Sequence, residues 1–478
     1  MNLIDLFIII LYLSLILFLG IKFGKTGNTK SYFLGDNSIH WVFILLSVIA
    51  TETSSLTFLN IPGMSYSGDL SFLQVGLGFI IGRILVAIFL IPMYFKTGYS
   101  SIYELVSEKF GKNTQKTVSG IFLITRTLGD GIRLYATSIP IAIILRNFFG
   151  PIVSEAEVGI LSLVLITVLT SVYTIYGGFK SVVVTDSLQF FIYVLGGIFS
   201  FVFLWNELGM GRAEIFSKLV SENKFNFYNG FKGNFFTSPY FFINGILGGI
   251  FISIGSHGVD QMFAQRILAC KNSFQSQLTI ILSGILVFFQ FLLFLAIGLL
   301  LFLYFEGAKI HPDKVFSTFI ITKIPSPILG FILAGILASA MSTLSSSINS
   351  MSMTIVYDWL NDTVKKNTTA YLSFIWSGVL FLSSLLPYYF SGAFGSGLVE
   401  IGLKISAFFF GPLIGLFFYI RFSKKKKLAS ARVTILALLF SLTSTILLNY
   451  SVKPAMAFLI PTGILIFLAI VGLFNRKS

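Results

Sequence analysis

Cysteine, histidine and charged residues are scarce in this chain of 478 residues, and each shortage excludes a class of protein. Only 11% of the residues are charged while 55% are hydrophobic, a balance that water-soluble domains do not show. The single cysteine, Cys270, excludes an intrachain disulfide and a cysteine metal cluster. The three histidines lack metal-ligand spacing, and no nucleophile–base arrangement is visible, so the sequence does not indicate an enzyme.

Long apolar runs make up most of what is present. They predict an all-α integral membrane protein with about thirteen spans, because each run approaches or exceeds the ~20 residues that a bilayer requires. The predicted spans are 3–22, 40–65, 71–95, 117–145, 156–175, 181–205, 240–257, 276–304, 327–357, 370–391, 397–420, 431–450 and 454–474. The loops are too short for a catalytic domain, so we expect residues 1–478 to form one transmembrane unit. The first segment lacks a basic flank and is interpreted as a retained span.

The basic excess predicts the topology of the chain. Lys and Arg number 33 against 19 Asp and Glu, a net charge of +14. With the N-terminus outside, most basic residues fall in inner loops and in the cytoplasmic C-terminal region, which is the positive-inside bias of a multi-pass inner-membrane protein. The charge therefore gives no reason to expect a nucleic-acid partner. The bilayer is the expected partner, and the run 424–427 is also placed to contact anionic lipid.

One segment of membrane length, 337–350, is unusually rich in hydroxyl side chains and reads LASAMSTLSSSINS. On a helix, one face carries Ser339, Ser342, Thr343, Ser346 and Ser350. Small hydroxyl residues also let helices pack closely, but that explanation covers two or three of them better than it covers the whole group. Oxygen is the natural ligand of a hard monovalent cation. The stripe therefore predicts a cation site.

Two predicted spans, 40–65 and 240–257, contain helix breakers. The first breaks around Glu52, which several hydroxyl residues accompany, and the second is rich in glycine over 245–258. These are the second and seventh spans, so they hold matching positions in two five-span units. Such interruptions indicate an inverted-repeat transporter whose solute binds between the breaks. The predicted parts are an extra first span and loop (1–39), a first repeat (40–205), a second repeat (240–420) and a basic loop with two C-terminal spans (421–478).

Ionisable residues inside membrane spans are costly, so each is a functional candidate. They are Glu52, Arg83, Arg126, Asp130, Arg133, Asp186, Glu400 and Lys404. The i, i+4 spacing of Arg126 with Asp130, and of Glu400 with Lys404, favours structural ion pairs. Arg83 is interpreted either as functional or as a staple that bonds backbone carbonyls.

Two further charged sites have open alternatives. Glu52 and Arg133 lie at similar depth, so they either pair with each other or hold opposite ends of a polar solute, while Asp130 competes for Arg133. Asp186 lies at the depth of the hydroxyl stripe and is a candidate anionic ligand. Its alternative is a helix-start aspartate that the helix dipole favours.

Four stretches of the sequence together resemble one family, the sodium:solute symporters, and are nearest in pattern to the branch with sialic-acid and sugar symporters. They are 50–57, 173–189 (YTIYGGFKSVVVTDSLQ), 260–266 (DQMFAQR) and 337–350. The resemblance implies a LeuT-like fold, a five-plus-five inverted repeat with broken helices in spans 2 and 7.

The resemblance also implies binding residues. The common sodium site would use carbonyls of Ala50, Thr53 and Ser339 with the side chains of Ser342 and Thr343. An additional sodium site would use Asp186, Ser342, Ser345 and Ser346, and solute would meet Glu52, Ser54, Thr57, Gln74 and Arg133. Glu52 departs from the hydroxyl residue expected there, which favours a solute with a cationic or multi-hydroxyl end over an acidic sugar.

We therefore expect sodium-coupled symport of a small polar organic solute, such as a sugar, sugar acid or carboxylate, by alternating access. Sodium is the expected coupling ion, with no other cofactor. A proton-coupled transporter with Glu52 or Asp186 as relay is the main alternative, and a transporter-like sensor is a less favoured one. The sequence leaves open the solute, one or two sodium ions per cycle, the roles of Glu52 and Arg133, and the oligomeric state.

Overall fold

A computed structural model describes residues 2–24, 29–95, 98–149, 153–228, 234–238, 241–360, 366–390, 398–423 and 428–474. Across these residues the regular structure is helical, without a strand, which confirms the all-α class. Within the same ranges, 10 helices are long and apolar enough to cross a membrane. The chain is a multi-pass membrane protein.

The helices are numbered in chain order. The first ten are α1 Leu3–Phe23, α2 Thr29–Leu34, α3 Trp41–Glu52, α4 Ser55–Ser67, α5 Leu73–Leu85, α6 Ile91–Tyr94, α7 Glu104–Phe110, α8 Lys112–Phe149, α9 Glu155–Glu207 and α10 Arg212–Ser221. The others are α11 Phe242–Ile254, α12 Gln261–Ala269, α13 Ser273–Tyr304, α14 Pro312–Lys323, α15 Ile328–Thr354, α16 Lys366–Phe390, α17 Leu398–Phe422, α18 Ala431–Val452 and α19 Met456–Phe474. Short π-helical turns extend α5, α11 and α15 at Val86–Leu90, Gly255–Val259 and Ile355–Trp359.

The run of hydroxyl residues after Glu52 ends one helix and starts another. Thr53 (ψ 88°) and Ser54 (ψ 171°) leave the helical region between α3 and α4. The Thr53 hydroxyl bonds the Ile49 carbonyl, and the Ser54 amide turns back to the Glu52 carbonyl at 3.1 Å instead of continuing the ladder to Ala50. Short hydroxyl side chains compete with helical backbone bonds in this way. Carbonyl oxygens at the end of α3 are thereby left for other donors.

Of the glycines predicted to break the seventh span, the first three lie inside a helix, whereas Gly255 and Gly258 lie in the π-helical turn that ends it. α11 runs without interruption through Gly245, Gly248 and Gly249, and the chain leaves the helical region at Asp260 (ψ 126°), whose side chain caps α12. A Cβ atom on Gly249 would lie 2.4 Å from the Val75 carbonyl oxygen of α5. These glycines therefore let α11 and α5 pack with their backbones in close approach, which is their usual use between membrane helices.

The predicted fifth and sixth spans are the two arms of α9, which bends at Gly178. Its φ of 60° lies in the region that glycine adopts without a steric penalty. A side chain there would also collide with the backbone and ring of Tyr32 in α2, since a Cβ atom would lie 2.8 Å from the Tyr32 carbonyl oxygen. Asp186 lies about two turns into the second arm.

α15 lies at the centre of the molecule. Every residue of α15 except Ile328 and Phe331 is buried, because α1, α3, α8, α9 and α16 surround it. Its hydroxyl side chains are thus shielded from lipid and must find partners within the protein.

Candidate functional site

The hydroxyl face of α15 meets the broken end of α3. Ser342 Oγ donates to the carbonyl oxygens of Ala50 at 2.9 Å and Ser339 at 3.1 Å. Thr343 Oγ1 donates to the carbonyl oxygens of Thr51 at 3.1 Å and Ser339 at 3.2 Å. The structure thus brings together four of the five residues predicted for the common sodium site, namely Ala50, Ser339, Ser342 and Thr343.

Thr51 joins this group, although the sequence analysis left it out. Its carbonyl faces α15 because it is one of the last in α3, and only its position inside the predicted break signalled this. Thr53, the fifth predicted residue, lies at the break and bonds Ile49 of its own helix through its hydroxyl. The group offers three carbonyl and two hydroxyl oxygens within hydrogen-bond distance of one another. Uncharged oxygens in this number suit a hard monovalent cation.

Asp186 lies beside this cluster and is fully buried. Its Oδ2 atom accepts a hydrogen bond from Ser47 Oγ at 2.6 Å, lies 3.4 Å from Thr51 Oγ1, and pairs with Arg266 Nη2 at 3.0 Å. Its Oδ1 atom accepts no hydrogen bond from the described residues. The alternative of a helix-start aspartate at the membrane surface does not fit this position, since Asp186 lies within α9 among buried polar groups.

Arg266 is a buried charged residue that was absent from the candidates predicted from the sequence, because it lies beyond the predicted end of the seventh span at residue 257. The side chain is 1% exposed and projects from α12. Its Nε atom donates to Ser47 Oγ at 2.9 Å, its Nη1 atom donates to the Met262 carbonyl at 2.9 Å, and its Nη2 atom also bonds Ser346 Oγ. The available signal was its place in the DQMFAQR stretch.

The residues predicted for an additional sodium site meet this arginine. Ser346 Oγ lies 2.9 Å from Thr51 Oγ1 and donates to the Ser342 carbonyl at 2.7 Å. Ser345 Oγ donates to the same carbonyl at 3.0 Å. Asp186 and Ser346 therefore share Thr51 and Arg266 as partners, whereas Ser342 and Ser345 are linked to Ser346 along α15.

A cavity of about 1060 Å³, counting its open mouth, adjoins the break between α3 and α4. Four of the five predicted solute residues line it: Glu52, Ser54, Thr57 and Arg133. Its apolar wall is aromatic, with Phe72, Phe79, Phe263, Phe291 and Phe410. The fifth, Gln74, points elsewhere, since its amide donates to the Phe227 carbonyl at 2.8 Å and its side chain packs on Gly245.

The partner of Glu52 is Arg83, contrary to the pairing with Arg133 that similar depth suggested. Arg83 is fully buried, bonds Glu52 Oε2 directly and donates from Nη1 to Ser283 Oγ at 2.7 Å. It is therefore an ion-pair partner and not a staple on backbone carbonyls. His257 Nε2 lies 3.7 Å from the same carboxylate oxygen. Glu52 keeps 14% of its side chain exposed to the cavity.

Arg133 pairs with Asp130 at 3.0 Å, the alternative that the sequence analysis left open, and 31% of its side chain is exposed. Arg126 bonds Asp260 Oδ2 through both Nε (2.9 Å) and Nη2 (2.7 Å). Its predicted i, i+4 partner Asp130 lies farther away at 3.6 Å. Each charged side chain that lines the cavity thus has a partner of opposite charge: Glu52 has Arg83, Arg133 has Asp130, and Arg126 has Asp260. The side chain of Glu400 and residues 424–427 lie outside the described residues, so the prediction for each remains a prediction.

These features define a membrane transporter: a helical bundle with a cavity that charged and aromatic side chains line, beside a buried oxygen cluster. More particularly, the chain belongs to the sodium:solute symporter family, whose model matches residues 32–427. It is therefore a transporter and not an enzyme.

The chain is also similar in sequence and in fold to individual sodium-coupled symporters. The chain is 28% identical to the sodium/sialic acid symporter SiaT of Proteus mirabilis, over 89% of this chain and 86% of that one. It is 26% identical to the sodium/sialic acid symporter NanT of Aliivibrio fischeri, over 75% and 70%. A solved structure of a substrate-bound, outward-open Na⁺-coupled sialic acid symporter superposes with a TM-score of 0.86 at 24% identity, covering 100% of this chain and 98% of that one. At that identity the superposition shows the fold.

Proposed function

We propose that this protein uses a sodium gradient to carry a small polar organic solute across the inner membrane by alternating access. The observation that carries this proposal is the shared position of the two sites at one helix break. At the end of α3, the carbonyls of Ala50 and Thr51 face the hydroxyls of α15, while the side chains of Glu52 and Ser54 face the cavity. An ion bound on one side of the break would order the groups that meet solute on the other.

The architecture proposed for this function has thirteen spans. Ten helices cross by length and composition; the bend at Gly178 divides α9 into two spans, and the pair α3–α4 and the long α8 add one each. Spans 2 and 7 are then broken at Thr53–Ser54 and at Asp260. Repeats of five spans over 40–205 and 240–420, an outer N-terminus and a cytoplasmic C-terminus complete the proposal.

The proposed common sodium site comprises Ala50, Thr53, Ser339, Ser342 and Thr343, with Thr51 added. Bound sodium would attract carbonyls of α3 and hydroxyls of α15 and so hold these helices together. Coupling to solute is then a reciprocal binding free energy, typically ~1–3 kcal/mol. A second ion at Asp186, Ser342, Ser345 and Ser346 remains a proposal, supported by the unpaired Oδ1 atom of Asp186.

The proposed solute is a sugar, sugar acid, carboxylate or similar molecule. The exposed guanidinium of Arg133 suits a carboxylate, which it can bond through two parallel N–H groups. Glu52 argues less strongly against an acidic solute than its sequence position suggested, because Arg83 balances its charge. Its cavity-facing side can still accept a hydrogen bond from a hydroxyl or ammonium group. The sialic acid carried by the two named relatives belongs to this class.

The test begins with a thermal-shift screen of solutes, with and without sodium, on the purified protein. The stabilising solute is then offered to proteoliposomes under an inward sodium gradient or an inward proton gradient. We expect uptake that requires the sodium gradient and persists when a protonophore collapses the pH gradient. Uptake that survives without sodium and stops with the protonophore would favour the proton-coupled alternative, with Glu52 or Asp186 as relay.

A further inference from the structure

The guanidinium of Arg266 joins three other helices at one point. It bonds Ser47 of α3, Asp186 of the second arm of α9, and Ser346 of α15, while α12 carries it. Every nitrogen of the guanidinium has a partner, and its Cζ atom lies 5.9 Å from the centroid of the Phe179 ring. With exposures of 1% and 0%, Arg266 and Asp186 are closed off from water. Water therefore cannot take the place of either partner in this ion pair unless these helices separate.

This junction is one hydrogen bond away from the proposed sodium cluster. Ser346 bonds both Thr51 Oγ1 and the Ser342 carbonyl. Thr51 offers its carbonyl to Thr343, and Ser342 bonds the Ala50 carbonyl. The groups that would hold sodium are thus in direct contact with the groups that hold Arg266.

The helix that carries Arg266 is short, is separated from α11 along the chain, and is buried over its whole length. α12 is only nine residues long and is divided from α11 by the non-helical Asp260. Its polar ties to the rest of the molecule are the Arg266 junction and several neutral hydrogen bonds. Among these, Gln265 Nε2 donates to the Phe33 carbonyl and to Asn349 Oδ1, each at 2.6 Å, and the carbonyls of Ile267 and Leu268 accept from Ser276 Oγ and Asn37 Nδ2, each at 2.8 Å. Displacement of α12 from α9 and α15 must break the Arg266–Asp186 pair.

We propose that Arg266 is a positioning residue that locks the cytoplasmic half of the protein shut while sodium is bound. The inference rests on the proposed function, since it takes the Ala50–Thr343 cluster as the sodium site. With sodium present, Thr51 and Ser346 are held in place and the guanidinium keeps all its partners. When sodium leaves, Thr51 is released, the contacts of Ser346 and Asp186 to Arg266 weaken, and α12 swings away to open the inner side.

The chain contains a native reporter for this movement. Cys270 is its single cysteine, follows α12 directly and is 1% exposed. Its Sγ atom lies 3.8 Å from the Arg266 carbonyl oxygen and 3.9 Å from Thr279 Oγ1. A membrane-impermeant maleimide can reach this thiol only after α12 has moved, so its labelling rate measures inner opening.

The experiment labels the full-length protein in nanodiscs with this maleimide, in sodium or in potassium at equal ionic strength. For the native protein we expect sodium to slow labelling by about 5-fold or more, the usual scale of a coupling between sites. In the variant Asp186→Asn with Arg266→Gln, which removes both charges but keeps amide groups, we expect fast labelling that is equal in the two salts. We also expect sodium still to raise the melting temperature of this variant, because the common sodium site keeps all its residues. Arg266→Lys, which keeps the charge but not the fork, should lie between them.

A matched control removes another ion pair that has the same N–O distance but lies exposed to solvent. Lys218 and Glu214 pair at 3.0 Å on the surface of α10, with about half of each side chain exposed. Glu214→Gln with Lys218→Gln should label as the native protein does, and Cys270→Ser should not label. If the Asp186 and Arg266 double variant does not fold, Ser47→Ala takes its place, because it removes one Arg266 contact without burying a charge.

The outcomes separate the lock from the proposed function, because the sodium-induced rise in melting temperature is measured on the same samples. A native protein that sodium neither stabilises nor protects from labelling would overturn the proposed function. Sodium stabilisation without protection of Cys270 would overturn the lock alone. Equal sodium protection in the native protein and in the Asp186 and Arg266 variant would also overturn the lock.

Discussion

Two buried arginine–carboxylate pairs, Arg266–Asp186 and Arg83–Glu52, join neighbouring helices in this protein through the same chemistry. They differ in access to water. The side chains of the first pair are 1% and 0% exposed, whereas in the second Arg83 is fully buried and Glu52 keeps 14% of its surface open to the cavity. The first pair is enclosed by α3, α9, α12 and α15, and the second lies where a solute would arrive.

Because their surroundings differ, the two ion pairs are expected to have different roles although both join an arginine to a carboxylate. A sealed carboxylate depends wholly on its partner, because an uncompensated buried charge is far more costly than the pair is favourable. A carboxylate at a cavity wall can exchange its partner for water or for solute. We therefore infer that Arg266–Asp186 controls whether helices stay together, while Arg83–Glu52 sets what the cavity accepts.

The largest expected effect compares the same substitution in both pairs. Arg266→Gln should lower the free energy of unfolding by about 3–5 kcal/mol, since it leaves Asp186 charged and sealed. Arg83→Gln should cost roughly half as much, because Glu52 can turn to cavity water. Chemical denaturation of the two variants in one detergent measures both values. Equal losses, or a larger loss for Arg83→Gln, would remove the distinction between the pairs.

The next largest effect concerns Arg133, whose side chain is more exposed to the cavity than either member of the two buried pairs. Arg133→Lys keeps the charge and the contact with Asp130 but loses the planar fork that a carboxylate prefers. We expect solute affinity to fall by about 10-fold, which corresponds to ~1.4 kcal/mol, with the sodium requirement unchanged. Solute titration at fixed sodium gives the first value and sodium titration the second. A variant with native solute affinity would place Arg133 in the scaffold with Asp130.

A smaller effect identifies the partner of Glu52. Glu52→Gln should change which solutes stabilise the protein more than it changes the sodium requirement. In a double-mutant cycle, Glu52 and Arg83 should show a coupling of about 0.5–3 kcal/mol in unfolding free energy. Glu52 and Arg133, which depth alone suggested as partners, should show little. The reverse order of the two couplings would contradict the pairing seen in the structure.

From the sequence, the depth of these residues along their helices was predicted well, and the direction of their side chains around the helix axis was predicted poorly. Depth in the membrane follows from position along a span, so Ser342, Thr343 and Asp186 were placed together from the sequence. The direction in which a side chain points about its helix axis depends on packing, which the sequence does not show. Packing makes Arg83 the partner of Glu52 and turns Gln74 away from the cavity. The glycines of α11 were misinterpreted for the same reason, since close packing and helix breaking use one residue type. Arg266 was missed because α12 begins only after residue 257, where the predicted span 7 ends.

The central claim is that the hydroxyls of α15 and the carbonyls at the end of α3 bind the sodium ion that drives transport. The direct test is sodium activation of solute uptake in proteoliposomes for Ser342→Ala and Thr343→Ala. Ser352→Ala is the matched control, a buried hydroxyl on the same helix but off the stripe, which bonds the Ile348 carbonyl at 2.7 Å. We predict that both test variants fold and need about 10-fold more sodium for half-maximal uptake, a loss of ~1.4 kcal/mol, while the control keeps the native curve. Native sodium curves for both test variants would contradict the claim.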